Sequence, residues 1–120
     1  MKNPTTQIMI RGEDFRELEC WKTARSVVCT LLDAAATLSR NTRHAGFARS
    51  LRTLSIAALD ALARGYEGDA RSFMEARSVV GRLEQLISQG RDRGALKASD
   101  FSSVQARLNL VMHLLEYPSF

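Results

Sequence analysis

Apolar side chains recur along most of this chain at alternating steps of three and four residues, which places them on one face of an α-helix. Four such stripes occupy residues 21–38, 47–61, 73–87 and 101–115. No stretch shows the alternating β-branched and polar residues that are typical of a strand. The pattern therefore predicts an all-α protein with four helices.

Capping and helix-breaking residues suggest where these helices begin and end. Asp14 and Glu17 have the spacing of a capping box, and Asp69 is a favourable N-cap residue. Gly65 suits the left-handed position that follows the last turn of a helix. The predicted helices cover about 14–39, 43–64, 69–90 and 100–116.

Short links between the helices favour one bundle in an antiparallel, up-down-up-down arrangement. This bundle is predicted to span residues 14–117. Pro4 and Gly12 interrupt helical structure near the start, so residues 1–13 are predicted to form a flexible tail.

Apolar residues of the second and fourth predicted helices cover more than one face. Ile56 and Leu59 lie beside the stripe of the second helix, and Leu110 and Leu114 lie beside that of the fourth. A monomer would leave much of this surface in water, which indicates self-association. A helix at the centre of the fold, or alanines tolerated at the surface, would also explain the pattern.

The composition is that of one globular domain, because 120 residues are 45% hydrophobic and 25% charged. The first thirteen residues lack the apolar run of a signal peptide, and no apolar stretch approaches the ~20 residues that span a membrane. Cys20 and Cys29 stand nine positions apart in one predicted helix, roughly 13 Å, which is too far for a disulfide. We therefore predict a cytoplasmic protein with reduced thiols and no membrane partner.

Residues with catalytic or metal-binding potential are sparse. His44 and His113 fall on different helices, and His113 with Glu116 is predicted to form a surface ion pair rather than a metal site. The chain contains no nucleophile elbow and no phosphate-binding glycine loop. We predict a protein that is not an enzyme and that needs no cofactor or metal.

The charge pattern is more informative than these isolated residues. The formal net charge is +4, and no acidic residue occurs between Asp33 and Asp60. That interval contains four arginines, whose planar guanidinium groups suit phosphate oxygens. These candidate contact residues for nucleic acid or a protein partner are Arg40, Arg43, Arg49 and Arg52. The alternative is that they pair with acids of the first and third helices, such as Glu17, Glu75 or Glu84.

Residues 15–21, Phe-Arg-Glu-Leu-Glu-Cys-Trp, resemble the F-x-x-L-x-x-W opening of the four-helix-bundle family of 23S rRNA intervening-sequence proteins. Arg52 matches an early arginine of that family's second helix, and residues 63–66 stand where its A-E-G-Y ending lies. Residues 94–96 fit its loop before the fourth helix. The chain departs from it at 59–65, where Leu-Asp-Ala-Leu-Ala-Arg-Gly replaces the usual P-S-N-I-A-E-G run.

The chain is also similar to the accessory protein of diversity-generating retroelements, a basic bundle of the same architecture. The resemblance implies a ring-shaped homo-oligomer, most often a pentamer, with no enzymatic activity. It further implies a positive surface that partners a reverse transcriptase and its RNA. We therefore expect an oligomeric bundle that binds RNA, DNA or a nucleic-acid enzyme. The alternative is a structural protein-interaction module with no nucleic-acid ligand.

Overall fold

The computed structural model describes residues 15–116 of the chain. A short 3-10 helix, Phe15–Glu17, precedes four α-helices. They are α1 (Glu19–Leu38), α2 (Ala45–Tyr66), α3 (Arg71–Asp92) and α4 (Ala98–Glu116). No strand occurs in this part of the chain, so the predicted all-α class with four helices is confirmed. The predicted tail and Asp14 lie outside the described residues.

The core consists of the stripes that the sequence predicts. Leu51, Leu83 and Ile87 are fully buried. The spacing of three and four residues keeps the members of each stripe on the helix face that points to the centre of the bundle. Most stripe residues of the other two helices are buried as well. They include Trp21, Ala24, Val28, Leu31, Ala35, Val104, Leu108, Val111 and Leu115.

The helices pack in a closed cycle. Helix α1 contacts α2 and α4, while α3 contacts the same two helices from the other side. Gln105 near the start of α4 donates a hydrogen bond to Glu84 in the second half of α3, at 3.3 Å. Phe47 near the start of α2 lies against Gly90 near the end of α3. The α1–α2 turn and the α3–α4 turn therefore lie at the same end of the molecule.

Two glycines have roles that differ from the sequence prediction. Gly65 was predicted to end the second helix, but it lies inside α2 and is buried against the ring of Phe73. Gly90 likewise lies inside α3, under the ring of Phe47. The left-handed positions belong to Gly68 and Gly94, with φ of 122° and 80°.

The start of α3 also differs slightly from the prediction. The N-cap position is Ala70 rather than Asp69, and Ala70 has no side chain that could cap the helix. Asp69 still contributes, because its carboxylate accepts hydrogen bonds from the Arg71 backbone N–H at 3.2 Å and the Ser72 hydroxyl at 3.1 Å. The residue type was recognised correctly, and its register was wrong by one position.

An aromatic cluster closes the end of the bundle opposite the α1–α2 turn. The ring of Phe15 contacts Trp21 edge to face at 5.0 Å and stacks on Tyr66 at 5.3 Å, measured between ring centroids. Tyr66 in turn meets Phe73 edge to face at 5.0 Å. These contacts join the entry of α1 to the end of α2 and the start of α3, and rings in such geometries stabilise beyond their buried area.

The two cysteines occupy different environments. Cys20 is buried and Cys29 is exposed, and both are free thiols. None of the helices between residues 15 and 116 is long and apolar enough to cross a membrane.

Candidate nucleic-acid interface

The turn between α1 and α2 is held by its own hydrogen bonds. The backbone N–H of Asn41 bonds to the Leu38 carbonyl at 2.9 Å, and its side-chain oxygen accepts from the Arg43 N–H at 2.9 Å. The His44 N–H then bonds back to the Asn41 carbonyl at 2.9 Å. Local side-chain bonding of this kind is typical of asparagine in turns. It presents Arg40 and Arg43 to solvent, and both are exposed.

Arg49 and Arg52 lie on the outer surface of α2. Leu51 and Ser55 of the same helix are fully buried, so the face that carries the two arginines points away from the core. Three positions on a helix correspond to about 60° around its axis, so their guanidinium groups share one face.

None of these four arginines forms an ion pair with a carboxylate anywhere in residues 15–116. The acids that the alternative interpretation assigned to them have other partners. Glu17 pairs with Lys22 at 3.5 Å, and Glu75 pairs with Arg64 at 3.0 Å. Glu84 accepts a hydrogen bond from Gln105. Within the described chain, the four guanidinium groups therefore remain available to an external anion.

A cleft of about 370 Å³ opens beside the α1–α2 turn. Arg43 lines one side of the cleft and Arg93, from the α3–α4 turn, lines another. The other lining residues are His44, Gly46, Phe47, Ser50, Leu86, Gln89 and Ala95. Arg93 was not among the contact residues that the sequence predicted. The two turns converge at one end, and that topology was the signal that could have linked Arg93 to Arg43.

The four predicted arginines do not form one continuous site. Arg43 lines the cleft together with Ser50. Arg52 lies about 160° from Ser50 around the axis of α2, so it faces away from the cleft. The structure therefore separates a cleft that contains Arg43 from an outer α2 face that contains Arg49 and Arg52.

Charge is distributed unequally along the bundle axis. We divide each helix at its midpoint and call residues 29–55 and 82–107 the basic half. It contains nine lysines and arginines against four carboxylates. We call residues 15–28, 56–81 and 108–116 the aromatic half. It contains six lysines and arginines against seven carboxylates. The positive excess of the described chain therefore lies in the half that contains the cleft, where it attracts anions.

Two further arginines of the basic half already have partners within the described chain. The Arg91 guanidinium pairs with Asp92 at 3.1 Å and lies 4.4 Å from the centroid of the Phe101 ring. Arg107 donates to the Ser26 hydroxyl at 2.7 Å and to the Ser103 hydroxyl at 3.0 Å. These side chains stabilise contacts between or within helices, in contrast to the unpaired arginines of the turn and α2.

Other reactive groups belong to the packing at the aromatic end. Burial raises the pKa of the Cys20 thiol and also that of the Tyr66 phenol, which share a hydrogen bond. Both groups therefore stay protonated at neutral pH. Among residues 15–116 no three potential metal ligands lie together. Glu116, which was predicted to pair with His113, forms an ion pair with Arg77 of α3 at 3.5 Å.

In comparisons with known proteins, no protein-family model, no curated protein and no solved structure matches this chain.

Proposed function

We propose that this protein is a non-enzymatic, antiparallel four-helix bundle of the cytoplasm that binds nucleic acid, or a nucleic-acid enzyme with its RNA, through the basic half. The observation that carries the proposal is the set of exposed, unpaired arginines on the α1–α2 turn and on α2. A guanidinium with no internal partner can neutralise a phosphate without first breaking an ion pair.

The mode of binding that this surface favours is contact with the phosphate backbone rather than with bases. Phe47 is packed against the core, so no phenylalanine, tyrosine or tryptophan ring stands free among the four arginines for a base to stack on. Phosphate contacts fix position but carry no sequence information. We therefore expect binding with little dependence on base sequence.

The binding experiment uses the full chain and a fluorescently labelled, single-stranded RNA of mixed sequence, followed by anisotropy at several salt concentrations. Each neutralised phosphate contributes about 0.7 to the slope of log K against log salt for a single strand. Three or four contacts should therefore give a slope near −2 to −3. No binding at low salt, or binding that salt does not weaken, would contradict the proposal.

A ring-shaped homo-oligomer, specifically a pentamer, is part of the same proposal. It rests on the resemblance to the intervening-sequence proteins and on large apolar side chains left in solvent. Met74 is 70% exposed, Ile56 45% and Leu110 37%, and they lie on three different helices. Light scattering should give a mass near five times the 13.4 kDa chain in low and high salt. A single-chain mass would remove the ring from the proposal.

These exposed apolar side chains also support a second candidate, a structural protein-interaction module without a nucleic-acid ligand. In that case the free arginines serve ion pairs between subunits. The double charge reversal Arg49→Glu with Arg52→Glu should then dissociate the oligomer. An oligomer that keeps its mass after this change, measured by light scattering, would exclude this candidate.

A further inference from the structure

The cleft between the start of α2 and the end of α3 combines several features of an anion site. Arg43 and Arg93 reach it from two different turns, while Ser50 and Gln89 add neutral polar groups. No aspartate or glutamate is among its lining residues. Its volume of about 370 Å³ falls in the range of small-ligand pockets, which is roughly 300–1,000 Å³.

The four polar side chains named here have no partner among the described residues. Neither Arg43 nor Arg93 forms an ion pair within the described chain, and the side chains of Ser50 and Gln89 make no hydrogen bond there. A cleft whose donors are unpaired and whose charge is positive is prepared for an anion that accepts several hydrogen bonds.

The backbone at the start of α2 adds further donors to the same cleft. The N-cap residue His44 makes no side-chain capping bond, and the first turn contains no acidic residue. Gly46 lines the cleft, and a Cβ placed on it would meet no atom within 4 Å, so a side chain has space there. Free N–H groups at a helix start favour negative charge through their local dipoles.

From this arrangement we infer that the cleft binds a phosphate group, which in the proposed function is a phosphodiester of the bound nucleic acid. The two arginines, which come from two different turns, neutralise its charge, and the start of α2 donates to its oxygens. The inference rests on the proposed function for the identity of the ligand. A free phosphorylated molecule carries the same phosphate group, so it is the other ligand to be tested.

Gly46→Asp tests the site without removing an arginine. The new carboxylate would stand in the cleft, where it repels phosphate, and an acid in the first turn of a helix is compatible with folding. Gly46→Asn is the matched control, because it has nearly the same size and no charge. The paired variant Arg49→Ala with Arg52→Ala leaves the cleft intact and reports on the outer α2 face.

Two measurements are made on the full-length chain. In the first, inorganic phosphate replaces chloride at constant ionic strength while amide shifts of the ¹⁵N-labelled protein are followed. We expect shifts at the amides of positions 46, 47 and 50 in the wild type and in Gly46→Asn, and none in Gly46→Asp. In the second, Gly46→Asp should bind the labelled RNA at least about tenfold more weakly than Gly46→Asn, because the new carboxylate repels the phosphate.

The outcomes separate this inference from the proposed function. Phosphate that shifts no amide of the cleft, or equal behaviour of the Asp and Asn variants, would overturn the inference even if RNA still binds through Arg49 and Arg52. Phosphate shifts confined to the cleft, together with no RNA binding by the wild type, would support the cleft as a site for a free phosphorylated molecule. That result would overturn the proposed function instead.

Discussion

The aromatic half and the basic half of this bundle are built from the same four helices but differ in how many of their charged side chains have a partner within the described chain. In the aromatic half, stacked rings close the end, and the ion pairs Lys22–Glu17, Arg64–Glu75 and Arg77–Glu116 occupy much of its charge. In the basic half, a cleft remains open and several arginines have no partner among the described residues. One end of the described chain is therefore closed by packed rings and ion pairs, and the other presents unpaired cations to solvent.

The largest expected effect belongs to Trp21, whose side chain is only 9% exposed and contacts Phe15. Trp21→Ala should lower the free energy of unfolding by about 3–5 kcal/mol, because it leaves a cavity in the core. Arg43→Ala, at the exposed turn of the basic half, should change it by less than about 0.5 kcal/mol. Urea denaturation of both variants checks this contrast, and a near-neutral Trp21→Ala would contradict it.

Alkaline pH should weaken the aromatic half first. The folded pKa values of Cys20 and Tyr66 lie above their ordinary values of 9.0 and 10.0, so the unfolded chain loses these protons at lower pH than the folded chain. Stability should therefore be unaffected by these groups below about pH 9 and fall above it. The slope is at most about 1.4 kcal/mol per pH unit for each group.

Tyr66→Phe is the control for the alkaline effect, because it keeps the ring and removes the phenol. Thermal unfolding between pH 7 and 11 should show a shallower decline for this variant above about pH 10. A wild-type stability that stays level up to pH 11 would show that these two groups are not protected by burial.

The two glycines Gly46 and Gly65 allow the same substitution to be compared in both halves of α2. A Cβ at Gly65 would stand 2.8 Å from ring atoms of Phe73, so Gly65→Ala should destabilise by about 1 kcal/mol once the helix preference for alanine is deducted. Gly46→Ala meets open space and should stabilise by about 0.5 kcal/mol. Effects of the same sign in urea denaturation would contradict this account of the packing.

Two buried serines give expected effects of similar size. The Ser55 hydroxyl is fully buried and has no hydrogen-bond partner in residues 15–116, so Ser55→Ala should stabilise by roughly 0.5 kcal/mol. Ser72→Ala should destabilise by about 1 kcal/mol, because the Ser72 hydroxyl donates to Asp69 at 3.1 Å. Thermal unfolding of the two variants should move the midpoint in opposite directions, and a shared direction would show that hydroxyl pairing does not decide the sign.

Helix periodicity predicted the number of helices and most of the core, because the buried stripe is a local property of the sequence; Leu62, Val79 and Leu96 are buried outside the predicted stripes. The glycines were harder to interpret. Gly65 and Gly90 look like helix ends in the sequence, whereas their role is to admit the rings of Phe73 and Phe47. That role depends on a neighbouring helix and has no local signal.

The candidate interface was predictable only in part for a similar reason. The interval without acids identifies Arg40, Arg43, Arg49 and Arg52 by composition. The pairing of Arg43 with Arg93 across the cleft joins residues that lie far apart in the sequence, so it requires the arrangement of the turns. The engagement of Glu75 with Arg64, which leaves the predicted arginines free, is likewise a tertiary property.

The measurement that most directly tests the division of roles compares RNA binding by two charge-reversed variants, one in each half. The first is Arg49→Glu with Arg52→Glu, and the second is Arg25→Glu with Arg71→Glu, whose arginines are also exposed and unpaired among residues 15–116. Both variants lose the same net charge. We expect the first to bind at least about tenfold more weakly than the wild type and the second to stay within about threefold of it. Equal losses in the two variants would contradict a binding role specific to the basic half.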